Sequence, residues 1–401
     1  MIEITEAQRQ IDSARFRMAR LAIAVAREGC YRSWRRSGEE QPRLFGLDMA
    51  PFLQPQPRFT WQREALPDPR IPGDSRRPVV GAEIARNRFG DYVAARQWYA
   101  TPAMYEPQAQ TVELLLRSRA AGRQFRADHA CDPEKWLFLD TEATGFIGGA
   151  GTLAFLIGLA WWDSGGIQIE QLFMRDAAEE YSILLELARR LRKRPVLVTF
   201  NGKSFDWPLL VSRFQMTRAI EVPVLKAHLD FLHPAREIWK LQIGSVKLGH
   251  LEERVLGAES LGWSRREDID SALIPGIYFD YVCGRSHRLE GVFRHNRMDL
   301  RGLAALAGRI LQMLSLTGEA APPNDRQALE WYGMARFFGR RGHHAIARRY
   351  CECALEIGLP VSVASQAQLE LARFVKRELR KTRTRRPRAR RTKIGKRISS
   401  R

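Results

Sequence analysis

The chain has 401 residues, 45% of them hydrophobic, and a formal net charge of +20. That length and apolar content allow at least one sizeable core and exclude a wholly disordered protein. The basic excess favours a polyanionic partner, nucleic acid before anionic membrane, and the five scattered cysteines, Cys30, Cys131, Cys283, Cys351 and Cys353, read neither as a disulfide framework nor as a zinc site.

The first segment, residues 1–41, opens on "MIEITEAQRQIDSARFRMAR", charged throughout and without the apolar run of a secretory leader. Apolar residues Ile11, Phe16, Met18, Leu21, Ile23 and Val25 suggest one helix over 5–28. Eight prolines between Pro42 and Pro78 predict that 42–78 is irregular and largely unpaired. Residues 79–133 form a small accessory β/α region, in which "VVGAEIARNRFGDYVAARQWY" sets two β-compatible runs around "NRFGD", the pattern of a hairpin.

From 134 to 316 strands and helices take turns. "WLFLDTEATG", "GTLAFLIGLAWW" and "GIQIEQLFMRD" read as successive strands, "AAEEYSILLELARRLRK" as an amphipathic helix, "PVLVTFNG" as a buried strand and "LKAHLDFLHP" as a shorter one, with helices to about 315. A meander followed by alternation implies an α/β fold, a mixed sheet flanked by helices. The longest weakly polar run, 148–162, is short for a membrane span, so a soluble cytoplasmic chain with no membrane partner is expected. Beyond the linker, residues 327–380 carry Trp331, Met334, Ala335, Phe338, Ala347, Cys351, Ala354 and Leu359 at the spacing of a tetratricopeptide-like helical hairpin, a possible contact for a protein partner. Residues 381–401 form a basic tail expected to be disordered; 376–401 alone hold 14 Lys or Arg against one acid, Glu378.

Chemistry concentrates where the first central strand ends. In "LFLDTEATG", Asp140 and Glu142 lie two apart, so on a strand both face one spot. Two carboxylates held that close raise each other's pKa unless a cation sits between them, and a divalent metal is the usual solution. In "VTFNGKSFDWPLL", Asp206 follows a buried strand, at the edge where α/β sheets hold their sites; helix capping is the other use of an Asp there. In "VFRHNRMDLRGLAAL", His295 and Asp299 are four apart and share a helix face, pairing a proton acceptor with a further metal-binding carboxylate.

These four acids in this order resemble the DEDD exonucleases on the ribonuclease H-like fold. "DTEATG" matches their first motif, and "NGKSFDWP" is similar to the corresponding element of family B DNA polymerase proofreading domains. The third motif matches in residue types, with His295 four residues before Asp299, where the histidine branch usually has five. With "LDFLHPAREIWK", "SALIPGIYFDY" and "HNRMDL" added, residues from about 134 to 310 resemble the bacterial YprB-type ribonuclease H-like family. The resemblance implies a 3′–5′ exonuclease.

In-line attack on a phosphodiester suits two metal ions held by several carboxylates, here Asp140, Glu142, Asp206 and Asp299, with His295 as general base. All-oxygen ligation suits Mg²⁺, for which Mn²⁺ should substitute. Thr144, Gly145, Asn201 and Lys203 are the candidate substrate contacts, Arg297 a further phosphate contact, and Tyr278 and Tyr281 rivals to His295. Asp230, His233 and Asp280 read as structural. The expected substrate is DNA or RNA, as single strands or 3′ ends. A structure-selective endonuclease and a non-catalytic nucleic-acid scaffold are the alternatives.

Overall fold

β-Branched and leucine-rich runs build a seven-stranded mixed sheet. Its strands are β3 (Ala82–Asn87), β4 (Gly90–Ala100), β5 (Trp136–Ala143), β6 (Ala154–Asp163), β7 (Gly166–Phe173), β8 (Val196–Thr199) and β9 (Ala227–Asp230). The computed structural model describes residues 43–44, 47–48, 81–100, 115, 130–145, 151–163, 166–258, 265–285, 288–315 and 328–385. The helix expected over 5–28 and the tail beyond 385 lie outside them. Of the proline-rich stretch, only β1 (Arg43–Leu44) and β2 (Leu47–Asp48), a two-residue antiparallel pair, are described.

The sheet runs β3-β4-β7-β6-β5-β8-β9. β5, β8 and β9 are parallel, and every other neighbouring pair is antiparallel. All five strands read from the central block are present, and the mixed sheet follows from their order: a meander supplies the antiparallel half, helical crossovers the parallel half. The hairpin expected as an accessory region instead extends this sheet, because β4 is long enough to pair with β3 along one edge and β7 along the other.

Helices cover the sheet. In α1 (Glu180–Lys193) the buried Ile183, Leu184, Leu187, Ala188 and Leu191 recur at helical spacing, so one apolar stripe faces the strands. α2 (Asp206–Thr217) follows β8, and α3 (Leu232–Ile243) follows β9. α4 (Ile274–Val282) packs Tyr278 flat on Phe155 of β6, ring centroids 4.1 Å apart. α5 (Leu289–Ser315) runs for 27 residues and buries Leu300, Leu303, Ala304, Ala307 and Ile310 along one stripe.

The described residues of 1–236 and 245–317 form this compact unit, and those of 237–244 and 318–401 form a second. The second holds α6 (Ala328–Arg340), α7 (His344–Ile357) and α8 (Val361–Arg385). Met334, Ala335, Phe338, Ala347, Cys351 and Ala354 are buried there, while Trp331 is half-buried. α8 continues past 380, the boundary expected for the tail, to Arg385. Among the described residues no helix is long and apolar enough to cross a membrane.

Candidate active site

The site is built where β5 runs out. Trp136 to Leu139 are fully buried, and the strand then turns polar at Asp140 and Thr141 with Glu142 still 9% exposed. The ladder with β6 shifts register between Glu142 and Ala143, so pairing becomes irregular at the acids. Asp206 is the first residue of α2 and caps nothing; its Oδ1 accepts from the Thr141 amide (3.1 Å) and hydroxyl (2.6 Å), which brings it to the strand that carries the other two acids.

The loop that presents Asp206 is held by Asp230 at the end of β9. Its Oδ1 accepts from the Asn201 amide (2.8 Å) and the Leu232 amide (3.1 Å), and its Oδ2 from the Lys203 amide (3.0 Å). Asn201 adopts φ 69, which a residue with a short polar side chain tolerates. A Cβ on Gly202 would lie 2.5 Å from that of Thr199, so only glycine passes there. The structural role read for Asp230 is therefore what its contacts describe.

From α5, Asn296 reaches across the sheet. It is fully buried, donates from Nδ2 to Asp140 Oδ2 (2.8 Å), and accepts at Oδ1 from Gln171 Nε2 (2.8 Å). Asp140, Gly158 and Gln171 stand side by side on β5, β6 and β7. Gly158 leaves the gap that Asn296 fills; a Cβ there would sit 2.1 Å from Asn296 Oδ1.

His295 and Asp299, one turn apart on α5, place Nε2 3.6 Å from Oδ2. His295 Nδ1 pairs with Asp268 Oδ1 at 2.9 Å. Arg265 joins the group, donating to Glu252 (2.5 and 2.7 Å), to Asp268 (2.9 Å) and to Asp299. Gly302 admits Glu252, whose Oε1 would lie 1.8 Å from a Cβ at that position.

Burial dominates the electrostatics, and the crowding of acids adds to it. Burial pushes the Asp140 carboxyl well above the usual range, repulsion from Asp299, Glu142 and Asp206 adds to it, and the Asn296 hydrogen bond only partly opposes them. Burial raises Glu142 to about 8, with His295 pulling it down and Asp299 and Asp206 pushing it up. Asp206 rises to about 6 by burial, against the Thr141 hydrogen bond. For His295, burial opposes the charge, but the Asp268 hydrogen bond and the charges of Asp299 and Glu142 outweigh it and lift the ring to about 9.

The five candidate catalytic residues, Asp140, Glu142, Asp206, His295 and Asp299, thus meet in one electrostatically coupled group. Among the described residues, no three His, Cys, Asp or Glu side chains converge as ready-made metal ligands. Asp140, Asp206 and Asp299 each give one oxygen to a protein donor. Each keeps a second oxygen outside those hydrogen bonds, and half-buried carboxylates that repel one another are a donor set that a divalent cation fits.

The expected substrate contacts are less uniform. Thr144 closes the β5–β6 turn, its hydroxyl accepting from the Leu153 amide at 3.0 Å, whereas Gly145 is exposed. Burial lowers the Lys203 pKa, with Asp230 opposing. Arg297 is occupied by Glu290 (3.0 Å), and Tyr278 and Tyr281 belong to the aromatic core around Phe173, not to the acid group. Asp268, Asn296, Arg265 and Gly158 were not singled out by sequence reasoning. A glycine inside the apolar run of β6 was the one available signal.

Residues 137–311 match the family model of the ribonuclease H superfamily. The uncharacterised protein YprB of Bacillus subtilis (strain 168) is 34% identical over 204 residues, covering 50% of this chain and 47% of its own. The chain therefore spans about half the length of that relative. Among solved structures, the family B DNA polymerase of the hyperthermophilic archaeon Pyrobaculum calidifontis is 16% identical, with a TM-score of 0.36 over 51% of this chain and 29% of the polymerase, a likeness too slight to carry an argument.

Proposed function

From the match of residues 137–311 to the ribonuclease H superfamily and the likeness to YprB, we propose that the protein is a divalent-metal-dependent 3′–5′ exonuclease acting on DNA or RNA. The observation that carries the reading is the group of Asp140, Glu142, Asp206 and Asp299 withdrawn from solvent at the sheet edge, in which burial and the neighbouring acids hold the carboxyls of Asp140 and Glu142 above the usual range. Two Mg²⁺ ions, or Mn²⁺ in their place, held by these acids would supply an activated water and neutralise the charge that develops on the leaving 3′-oxygen.

The chain's own residues account for the rest. Asn296 and Thr141 orient the carboxylates of Asp140 and Asp206. Asp268 fixes the tautomer of His295 by taking Nδ1, which turns Nε2 toward Asp299 and the acid group. His295 would accept the proton of the attacking water there. At about 9 the ring holds a proton in the metal-free protein, so its base role requires the surrounding negative charge to be neutralised first. Gly145 and Lys203 flank the acids and are the residues proposed to meet the strand, with Thr144 and Asn201 shaping the turns beside them.

End-labelled substrates test this. Purified protein with Mg²⁺ or Mn²⁺ should shorten 5′-labelled single strands into a ladder and release label from 3′-labelled strands at once. Chelator and Asp140→Asn should each abolish both. Internal cuts would make the protein an endonuclease, and binding without cleavage would leave the scaffold reading.

A further inference from the structure

The second unit carries a charged groove that the candidate active site does not use. α6 supplies Arg336 and Arg340 to one wall, and α8 supplies Arg373 and Arg377 to the other, around about 470 Å³ of open space. Each pair is four residues apart, so its guanidinium groups rise by about 6 Å along one helix face. Between the walls lies Phe374, only 6% exposed. A Cβ on Gly339 would stand 2.4 Å from the Phe374 ring, so the glycine is what lets the two helices close on it and set the arginine pairs opposite each other.

The groove's own acids do not neutralise these cations. Glu370 is the single carboxylate in the lining. Glu237 pairs with Arg340 at 3.2 Å but shares its charge with Arg341 at 2.5 Å. Nearby Glu378 and Glu352 both serve Arg348, at 3.0 and 3.4 Å. Among the described residues no carboxylate forms an ion pair with Arg336, Arg373 or Arg377, and Arg373 and Arg377 are exposed. Lys376 and Arg380 continue the positive charge along α8.

We infer that this groove is a second nucleic-acid site, which grips the phosphates of a single strand without reading its bases. Every cation in the lining is arginine, whose planar fork binds phosphate with two hydrogen bonds. Paired cations on both walls match a ligand with regularly repeated charge, and the apolar floor offers nothing to a base edge. The choice of nucleic acid over an acidic peptide rests on the nuclease reading above.

The test is binding, measured in chelator so that it does not depend on cleavage. Full-length protein and its Arg373→Gln/Arg377→Gln variant are titrated against a fluorescein-labelled oligothymidylate of about 20 nucleotides, longer than the ~4–16 that one single-strand module covers. Losing two phosphate contacts should flatten the slope of log affinity against log salt by about 1.4, at roughly 0.7 per phosphate of a single strand. Arg192→Gln/Lys193→Gln, an equal change of charge on exposed residues of α1, should flatten it much less. An equal effect of the two double variants would reduce the groove to bulk charge and overturn the proposal. So would a groove variant that loses poly-L-glutamate binding while keeping the strand, since the site would then be a peptide site. Strand binding that depends on the groove in a protein showing no cleavage with Mg²⁺ would instead count against the nuclease reading alone.

Discussion

Neutralising Glu142 should stabilise the metal-free protein, and the effect should grow with pH. Glu142 is 9% exposed, and its carboxyl titrates near 8 in the fold against an ordinary 4.5. Between those values the folded state holds a proton that the unfolded chain has released, so stability falls as pH rises. At about 1.4 kcal/mol per unit, the loss between pH 5 and pH 8 is on the order of 4 kcal/mol, which for a domain of this size is roughly 10 °C in Tm. His295, lifted from 6.5 to about 9, adds a loss of the same sign over a higher window: its contribution is complete below 6.5 and disappears through 9. Glu142→Gln removes the first contribution and reduces the second, because the Glu142 charge is one of those that lift His295. Thermal melts in chelator should therefore coincide for wild type and variant near pH 5 and separate by pH 8, with the variant higher. Saturating Mg²⁺ at pH 8 should raise wild type more than the variant. If the metal-free wild type is as stable at pH 8 as at pH 5, or if Glu142→Gln gains nothing there, the burial and charge crowding invoked to draw in cations do not hold Glu142 above its ordinary range.

Two more substitutions test the scaffold behind the acids. Gly158→Ala places a methyl group where Asn296 Oδ1 now lies, 2.1 Å from the ideal Cβ; it should cost about 2–4 kcal/mol through overpacking and lost hydrogen bonds, and lower turnover by freeing Asp140, as read by urea unfolding and nuclease rate. Asp268→Asn should lower the His295 pKa from about 9, followed by NMR titration of labelled imidazoles in the metal-free protein; a wild-type His295 that titrates near 6.5 would contradict the pairing.

The sequence by itself was enough for the sheet and for where the acids lie on their own elements. A period of two along "LFLDTEATG" put Asp140 and Glu142 on one face, apolar runs marked β5 to β9, and helical spacing put His295 and Asp299 on one turn of α5. Such signals are local, because a strand or helix shows its buried face within a few residues. Whether Asp206 capped its helix or joined the acids was not decidable locally; the Thr141 contact, across 65 residues of chain, decided it. Asp268 and Arg265 lie in irregular backbone 27 and 34 residues from their partners His295 and Asp299, where no period announces a side chain. The place of Asn296 depends on three strands lining up Asp140, Gly158 and Gln171, a register that only sheet pairing establishes. The arginine groove likewise needed α6 and α8 packed together over Gly339, since each helix alone displays only two ordinary surface arginines in that stripe. What one element presents can be read along the chain; which elements meet depends on long-range packing, and that packing decides which charges stay unpaired.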